Sequence, residues 1–280
     1  MDIRQKPRRH SLARRSLVRS VELACRALGG RAWYRWRFLG PGGLVERHET
    51  LRVAGFPRSL KVAQLSDLHA GSFLGPGDLR HALERIAAHA PDLIAITGDF
   101  ITHAPRELER VLDDLGRLRA PLGVFAVLGN HDYRGRRDPW IVEQLAARGV
   151  RTLRNESARL ELGDGALCVV GVEDLEESKW LDFAAARAGV RAGDFELVLS
   201  HHPALAPHAA RERCIAVLSG HTHGTQLDLP LLRRAGPAHP GLRVEFGATT
   251  LIVSRGLGAI GLPLRFGAPA EVVIVNVEPD

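Results

Sequence analysis

The chain is poor in cysteine and methionine and lacks long apolar runs. Its 280 residues include three cysteines and one methionine. Cys25, Cys168 and Cys214 are an odd set with no Cys-x-x-Cys pair, which argues against a disulfide framework and fits a reducing compartment. Cys168 and Cys214 lie in apolar runs and read as small core residues. No stretch reaches the roughly 18 uncharged apolar residues of a membrane-spanning helix. The longest uncharged runs, Leu197–Ala210 and Ile215–Leu227, are broken by His, Pro and Gly. Internal repeats and low-complexity linkers are also missing. With 45% hydrophobic and 25% charged residues, disorder, collagen and coiled coil are excluded.

What is present is unevenly spread. Residues 1–50 hold 12 basic against 4 acidic side chains, whereas the remaining 230 carry a net charge of −2. The basicity belongs to an N-terminal segment, not to the body, so the high isoelectric point does not argue for a nucleic-acid-binding domain. Arg8-Arg9 and Arg14-Arg15 suggest an export signal. However, Arg19, Glu22 and Arg26 interrupt the apolar stretch that such a signal needs. Leu17, Val21, Ala24 and Leu28 instead share one helical face, and aromatic and cationic residues interleave from Arg31 to Phe38. A basic amphipathic helix with this flank suits an anionic membrane surface. Packing on the body and contact with nucleic acid are the alternatives. The expected division is a segment 1–50 attached to a single domain 51–280.

From residue 50 onward, apolar runs alternate with helical patterns, the mark of an α/β body. Strands are expected at 60–65, 93–97, 124–128, 159–162, 167–172, 196–199, 215–218, 242–246, 251–254 and 271–277. Gly163-Asp164-Gly165 reads as a hairpin turn. Helices are expected at 76–89 (with Asp78 as N-cap), 107–118 and from Asp138 to about 148.

The polar residues gather where strands end. Asp67-Leu-His69, Gly98-Asp99, Gly129-Asn-His-Asp132, Ser200-His-His-Pro203 and Ser219-Gly-His-Thr-His223 each follow an apolar run. Ligands of α/β sheets bind beyond the carboxyl ends of strands. A lone Asp or His-x-His there would be unremarkable, but five such ends in one chain are not. Carboxylate, amide oxygen and imidazole without thiolate suit divalent Mn, Fe, Zn or Mg. A pair of such ions, about 3.5–4 Å apart, is a hydrolytic device for phosphate esters.

These blocks, in this order over residues 60–223, resemble the calcineurin-like metallophosphoesterases. Ser254-Arg-Gly-Leu-Gly258 and Leu262-Pro-Leu-Arg-Phe266 extend the resemblance toward the bacterial YkuE/YaeI-type branch. Leu-Ser-His-His-Pro and Gly224-Thr-Gln226 depart from that branch's usual pattern without removing a ligand. The resemblance implies a four-layer α-β-β-α sandwich with a dimetal site at one edge. It implies one ion on Asp67, His69, Asp99 and His223, and a second on Asp99, Asn130, His201 and His221. His202 is the alternative to His201. His131 is implied to stabilise the phosphoryl group or protonate the leaving oxygen, with Asp132 orienting it. The cofactors are two divalent ions, Mn²⁺, Fe²⁺/Fe³⁺, Zn²⁺ or Mg²⁺.

The expected activity is hydrolysis of a phosphodiester or pyrophosphate, on a lipid-linked or nucleotide-sugar lipid substrate at a membrane surface. A soluble nucleotide phosphodiesterase or nuclease and a metal-free binding scaffold are the alternatives. The expected location is the cytoplasm, peripheral to the inner face of the membrane through residues 12–38, without a nucleic-acid partner. Arg134, Arg136 and Arg137 could meet an anionic substrate or simply lie on a solvated loop, and Arg255, in a glycine-rich turn, is a further candidate contact; none is assigned to the site. The remaining histidines, His10, His48, His81, His89, His103, His208 and His239, read as surface or packing groups.

Overall fold

The computed structural model describes residues 12–228 and 241–280. Arg8, Arg9, His10 and His239 lie outside the described residues. The Val-, Ile- and Leu-rich runs form strands because β-branched side chains pack well on a pleated, buried surface. They are β1 (Val45–Val53), β2 (Leu60–Leu65), β3 (Leu93–Thr97), β4 (Val124–Val127), β5 (Val150–Thr152) and β6 (Glu156–Glu161). The later six are β7 (Ala166–Gly171), β8 (Phe195–Leu199), β9 (Ala216–Ser219), β10 (Arg243–Phe246), β11 (Thr249–Val253) and β12 (Glu271–Pro279).

Two six-stranded sheets result, in the orders β1-β12-β2-β3-β4-β5 and β10-β11-β9-β8-β7-β6. In the first, β12 runs parallel to β1 and antiparallel to β2, and β2 through β5 are mutually parallel. In the second, β7, β8, β9 and β11 are parallel, with antiparallel β6 and β10 at the edges. The two-residue period of the strands divides the core into layers. Leu93 and Ala95 point between the sheets with Leu197, Leu199 and Leu218. Ile94 and Ile96 point outward under helices α3 (Arg80–Ala88) and α5 (Asp138–Ala146). Val198 and Val217 point the other way, beneath the short helices α6 (Phe183–Ala186) and α7 (Ala206–Ala209). The architecture is an α-β-β-α sandwich.

Several local expectations change. The strands β1 and β5 have no counterpart among the expected elements, and the division drawn from charge at residue 50 falls within β1. Asp78 is not the cap of α3. It accepts the Gly75 N–H and pairs with Arg31, and the helix starts at Arg80. The expected helix 107–118 breaks into a 3-10 turn, Pro105–Arg110, and α4, Leu112–Leu115. The Glu107 side chain instead accepts three N–H groups, from Thr102, His103 and Ala104.

The N-terminal segment forms α1 (Leu12–Ala27) and α2 (Gly30–Tyr34), followed by a π-helical turn at Arg35–Leu39. The expected apolar stripe of α1 does not pack on the body. Leu17, Val21, Ala24 and Leu28 face solvent, and Glu22 is the fully buried residue. The reason is polar. Glu22 accepts the Gly261 N–H at 2.8 Å and faces His103 Nε2 at 2.5 Å. Tyr34, Phe38 and Leu39, by contrast, enter the core under the first sheet.

Candidate metal centre

The carboxyl ends of β2, β3, β4, β8 and β9 meet along one edge of the sandwich, where Gln64 of β2 donates to the Ser219 carbonyl of β9 across the two sheets. Glycine lets these turns come together. A Cβ on Gly129 would fall 2.2 Å from Asp99 Oδ1, and one on Gly220 would fall 2.3 Å from Asp67 Oδ2. Five of the seven expected ligands, Asp67, His69, Asp99, His221 and His223, have φ between 45° and 69°. Left-handed backbone on non-glycine residues costs on the order of 1 kcal/mol each and clusters at functional sites.

All seven expected ligands are brought together, in two groups that share Asp99. In the first, His69 Nε2 lies 2.9 Å from His223 Nε2, 3.4 Å from Asp99 Oδ2 and 3.9 Å from Asp67 Oδ1. His223 Nε2 is 3.3 Å from Asp67 Oδ1. In the second, His201 Nε2 lies 3.4 Å from Asp99 Oδ2, 3.2 Å from Asn130 Oδ1 and 3.3 Å from His221 Nδ1. His221 Nδ1 completes the group, 3.3 Å from Asn130 Oδ1. Donors about 2.1 Å from a common ion stand roughly 3.0–3.4 Å apart as neighbours and about 4.2 Å apart as opposites, so these separations of 2.9–3.9 Å are compatible with an ion's ligand shell.

The atoms turned away from these points are occupied. Asp99 Oδ1 accepts the His131 N–H, leaving Oδ2 between the two groups. Asp67 Oδ2 accepts the Ser66 hydroxyl, leaving Oδ1 toward the imidazoles. His201 Nδ1 donates to the Thr97 carbonyl, which fixes the tautomer with a free Nε2 lone pair. Burial pushes Asp67 up to about 6 and His69 down to about 4. Burial opposes the charge on Asp99 as well, but His201 and His131 hold it well below the usual carboxylate range. Such opposed shifts are what an uncompensated cluster of ligands shows.

His202 takes no part in either group. Its Nδ1 accepts the Ala204 N–H, so the neutral ring carries its proton on Nε2, which faces Glu176 at 3.8 Å. Glu176 also stands 3.9 Å from His221 Nε2. Glu176, His202 and His221 also lie close enough together to enclose an ion.

The implied role of Asp132 is corrected. It does not touch His131. Its carboxylate accepts the N–H groups of Asp99 and Gly129 on Oδ2, and of Phe100 and Ile101 on Oδ1, all within 2.9–3.2 Å. Asp132 therefore ties two site loops together through their backbones. Burial and the Asp99 charge push it up to about 8 against the pull of these donors. His131 is oriented by the Thr102 carbonyl, which accepts from Nδ1 at 2.8 Å. Its Nε2 lies 3.0 Å from an Arg134 Nη, and burial holds its pKa well below the ordinary value.

Of the arginines considered, Arg134 is at the site, whereas Arg255 is held by the buried Glu271. Arg265 was not foreseen. It is buried, donates to the Tyr34 hydroxyl at 2.8 Å, and has an Nη 3.4 Å from His223 Nδ1. Only its place between Leu264 and Phe266, in a segment already noted for its resemblance, hinted at a role.

The profile of the calcineurin-like phosphoesterases matches residues 60–225, more than half of the chain and the whole span of the two donor groups. The chain is a calcineurin-like phosphoesterase. It is similar to the uncharacterized metallophosphoesterase YkuE of Bacillus subtilis, at 28% identity over 95% of this chain and 98% of the relative. A transmembrane protein with metallophosphoesterase domain from Bos taurus is 31% identical over 76% of this chain, which spans 52% of that protein. Among solved structures, a 5'-nucleotidase precursor from Thermus thermophilus superposes with a TM-score of 0.49 at 15% identity, over 78% of this chain and 55% of that one. As a phosphoesterase of this family, the chain is a metal-dependent phosphoric ester hydrolase that uses divalent ions.

Proposed function

We propose that this phosphoesterase hydrolyses a phosphodiester or pyrophosphate with two divalent ions. Asp67, His69, Asp99 and His223 would hold one, and Asp99, Asn130, His201 and His221 the other. The observation that carries the reading is Asp99 Oδ2, which stands 3.4 Å from both His69 Nε2 and His201 Nε2. The donor set fits: oxygen and imidazole, without sulfur, suit Mn²⁺, Fe²⁺/Fe³⁺, Zn²⁺ or Mg²⁺. Bound there, the ions supply Lewis-acid stabilisation of phosphoryl charge and acidify water to a nucleophile at neutral pH.

The protein's own groups complete the chemistry. Neutral His131, with its Nδ1 proton on Thr102, presents Nε2 to the Arg134 guanidinium. The pair offers positive charge to phosphoryl oxygens, which favours the stabilising role of His131 over proton donation. Asp132 holds the loops of Asp99 and Asn130 in register.

The substrate is a lipid-linked phosphodiester or nucleotide-sugar lipid, met at the cytoplasmic face of a membrane through the N-terminal segment. The solvent-facing apolar stripe of α1 supports this reading. Among the described residues, no helix is long and apolar enough to cross a membrane. The test is hydrolysis by chelated protein given back Mn²⁺, on a chromogenic diester, a lipid-linked pyrophosphate in vesicles, and cyclic nucleotides. Metal-restored turnover that favours the vesicle substrate is expected. Equal or better turnover of cyclic nucleotides without vesicles would replace the lipid reading with a soluble phosphodiesterase, and no turnover with any ion would leave a binding scaffold.

A further inference from the structure

Ten large apolar side chains are exposed among the described residues, and nine of them fall in two segments. Six belong to the N-terminal helices, where Leu28 is 88% and Trp36 70% exposed. The other three, Leu262, Leu264 and Phe266, lie more than two hundred residues later in the loop 260–266.

The two segments touch. Glu22 accepts the Gly261 N–H at 2.8 Å. A Cβ on Gly30 would meet Pro263 Cγ at 3.2 Å, and one on Gly261 would lie 4.0 Å from Val18 Cγ1. Arg19, Arg26, Arg35 and Arg37 are exposed beside the apolar groups. The one carboxylate within residues 16–39 and 256–268 is Glu22, which is fully buried. An exposed face that combines large apolar groups, adjacent tryptophans 5.4 Å apart and arginines, and bears no exposed carboxylate, matches the boundary of an anionic bilayer.

We propose that the loop 260–266 and the outward face of α1 and α2 form one docking surface for an anionic lipid bilayer. The purpose of the surface rests on the membrane-held substrate proposed above. The charge of the face selects the occupant: arginines without exposed acids complement phospholipid headgroups, and the apolar side chains suit the acyl boundary beneath them.

The same loop reaches the metal centre by strand-like alternation. Leu264 and Phe266 point out, at 42% and 60% exposure, while Arg265 between them points in to His223. Gln226, three residues after His223, donates to the carbonyls of Ile260, Leu262 and Leu264 at 3.0–3.2 Å. Leu264 and Phe266 are thus each one residue from Arg265, which reaches His223. The surface is therefore joined to the site through Arg265 and His223.

The test is sedimentation of the full chain with vesicles of phosphatidylcholine containing about one-quarter phosphatidylglycerol, against pure phosphatidylcholine. The wild type should partition to the anionic vesicles, and Asp99→Asn should partition equally, because binding does not use the metal centre. Leu264→Ser with Phe266→Ser should weaken partition by about tenfold or more. Arg26→Glu with Arg37→Glu, exposed charges outside the loop, should weaken it by at least as much. Trp180→Ser, at the one large apolar side chain among the described residues that is exposed away from the face, should not weaken it. Thermal melting of each variant confirms that the fold is retained. Loop variants that bind like the wild type would remove 260–266 from the surface, and equal binding to both vesicle types would overturn the anionic occupant. Failure of the wild type to bind either vesicle would overturn the proposal while leaving phosphodiester hydrolysis untouched.

Discussion

The Nε2 atoms of His69 and His223 lie 2.9 Å apart, with the rings stacked at 4.8 Å between centroids. Burial holds both imidazoles neutral at pH 7, His69 at about 4 and His223 well below its ordinary value. Two imidazole nitrogens this close, with Asp67 and Asp99 beside them, form a donor set that a cation would hold in place of a shared proton. Adding Mn²⁺ to the chelated protein at about a hundredfold excess over its dissociation constant should therefore raise stability by about 2.7 kcal/mol. That corresponds to on the order of 5–10 °C in melting temperature. A melting curve indifferent to chelator and to added ion would sink the assignment.

Asp99 stands between both donor groups, so its loss should be felt in both. Asp99→Asn should lower kcat/KM on a chromogenic diester by on the order of 10²–10³-fold and reduce the ions retained per chain. Metal content by elemental analysis is the deciding measurement. A variant that kept two tightly held ions would show that the carboxylate is not shared.

Asp132 and His131 are neighbours in sequence with different duties, and their variants should separate. Asp132→Asn can accept only two of the four backbone N–H bonds and turns its amide toward the others. Each N–H left without an acceptor costs about 1–3 kcal/mol, so the loss should appear in equilibrium unfolding. His131→Ala should lower kcat by on the order of 10²–10³-fold with stability and ion content retained. An Asp132→Asn protein of normal stability with depressed kcat would restore the orienting role withdrawn above.

The buried Glu22 gives the N-terminal helix a pH-dependent attachment. Burial alone would raise its pKa, but His103, the Gly261 N–H and Ser72 bring it below the usual carboxylate value. A depressed folded-state pKa contributes stability that is fully present above the unfolded value, about 4.3, and is lost as pH falls through the folded one. The melting temperature of the wild type should exceed that of Glu22→Gln at pH 5 on the scale of a few degrees. The margin should shrink as pH falls below about 4. A margin that grew on acidification would contradict this sign.

The site was legible because its ligands follow apolar strands directly, and a two-residue period leaves little doubt about where a buried strand ends. Asp67, Asp99, Asn130, His201 and His221 all carry that local signal. The parts that were not legible depend on contacts remote in sequence. Glu22 looks like a surface charge until His103 and Gly261 meet it, and its burial is what turns the apolar stripe of α1 outward. Arg265 has no local cue either, because its partners Tyr34 and His223 come from opposite halves of the chain. Strand β1 was hidden by its polar residues, of which His48, Thr50 and Arg52 face water while Leu51 is buried, at the edge of the sheet.

The position of β12 sets an order of assembly. It lies between β1 and β2, so the first sheet remains in two pieces until residues 271–279 have left the ribosome. Strand β2 positions Asp67 and His69, and its neighbour β12 follows it by more than two hundred residues. Pairings of such long sequence separation form slowly. The nascent phosphoesterase thus completes its first sheet only after residues 271–279 emerge, long after the strand that carries Asp67 and His69, which delays the closing of the centre that binds ions.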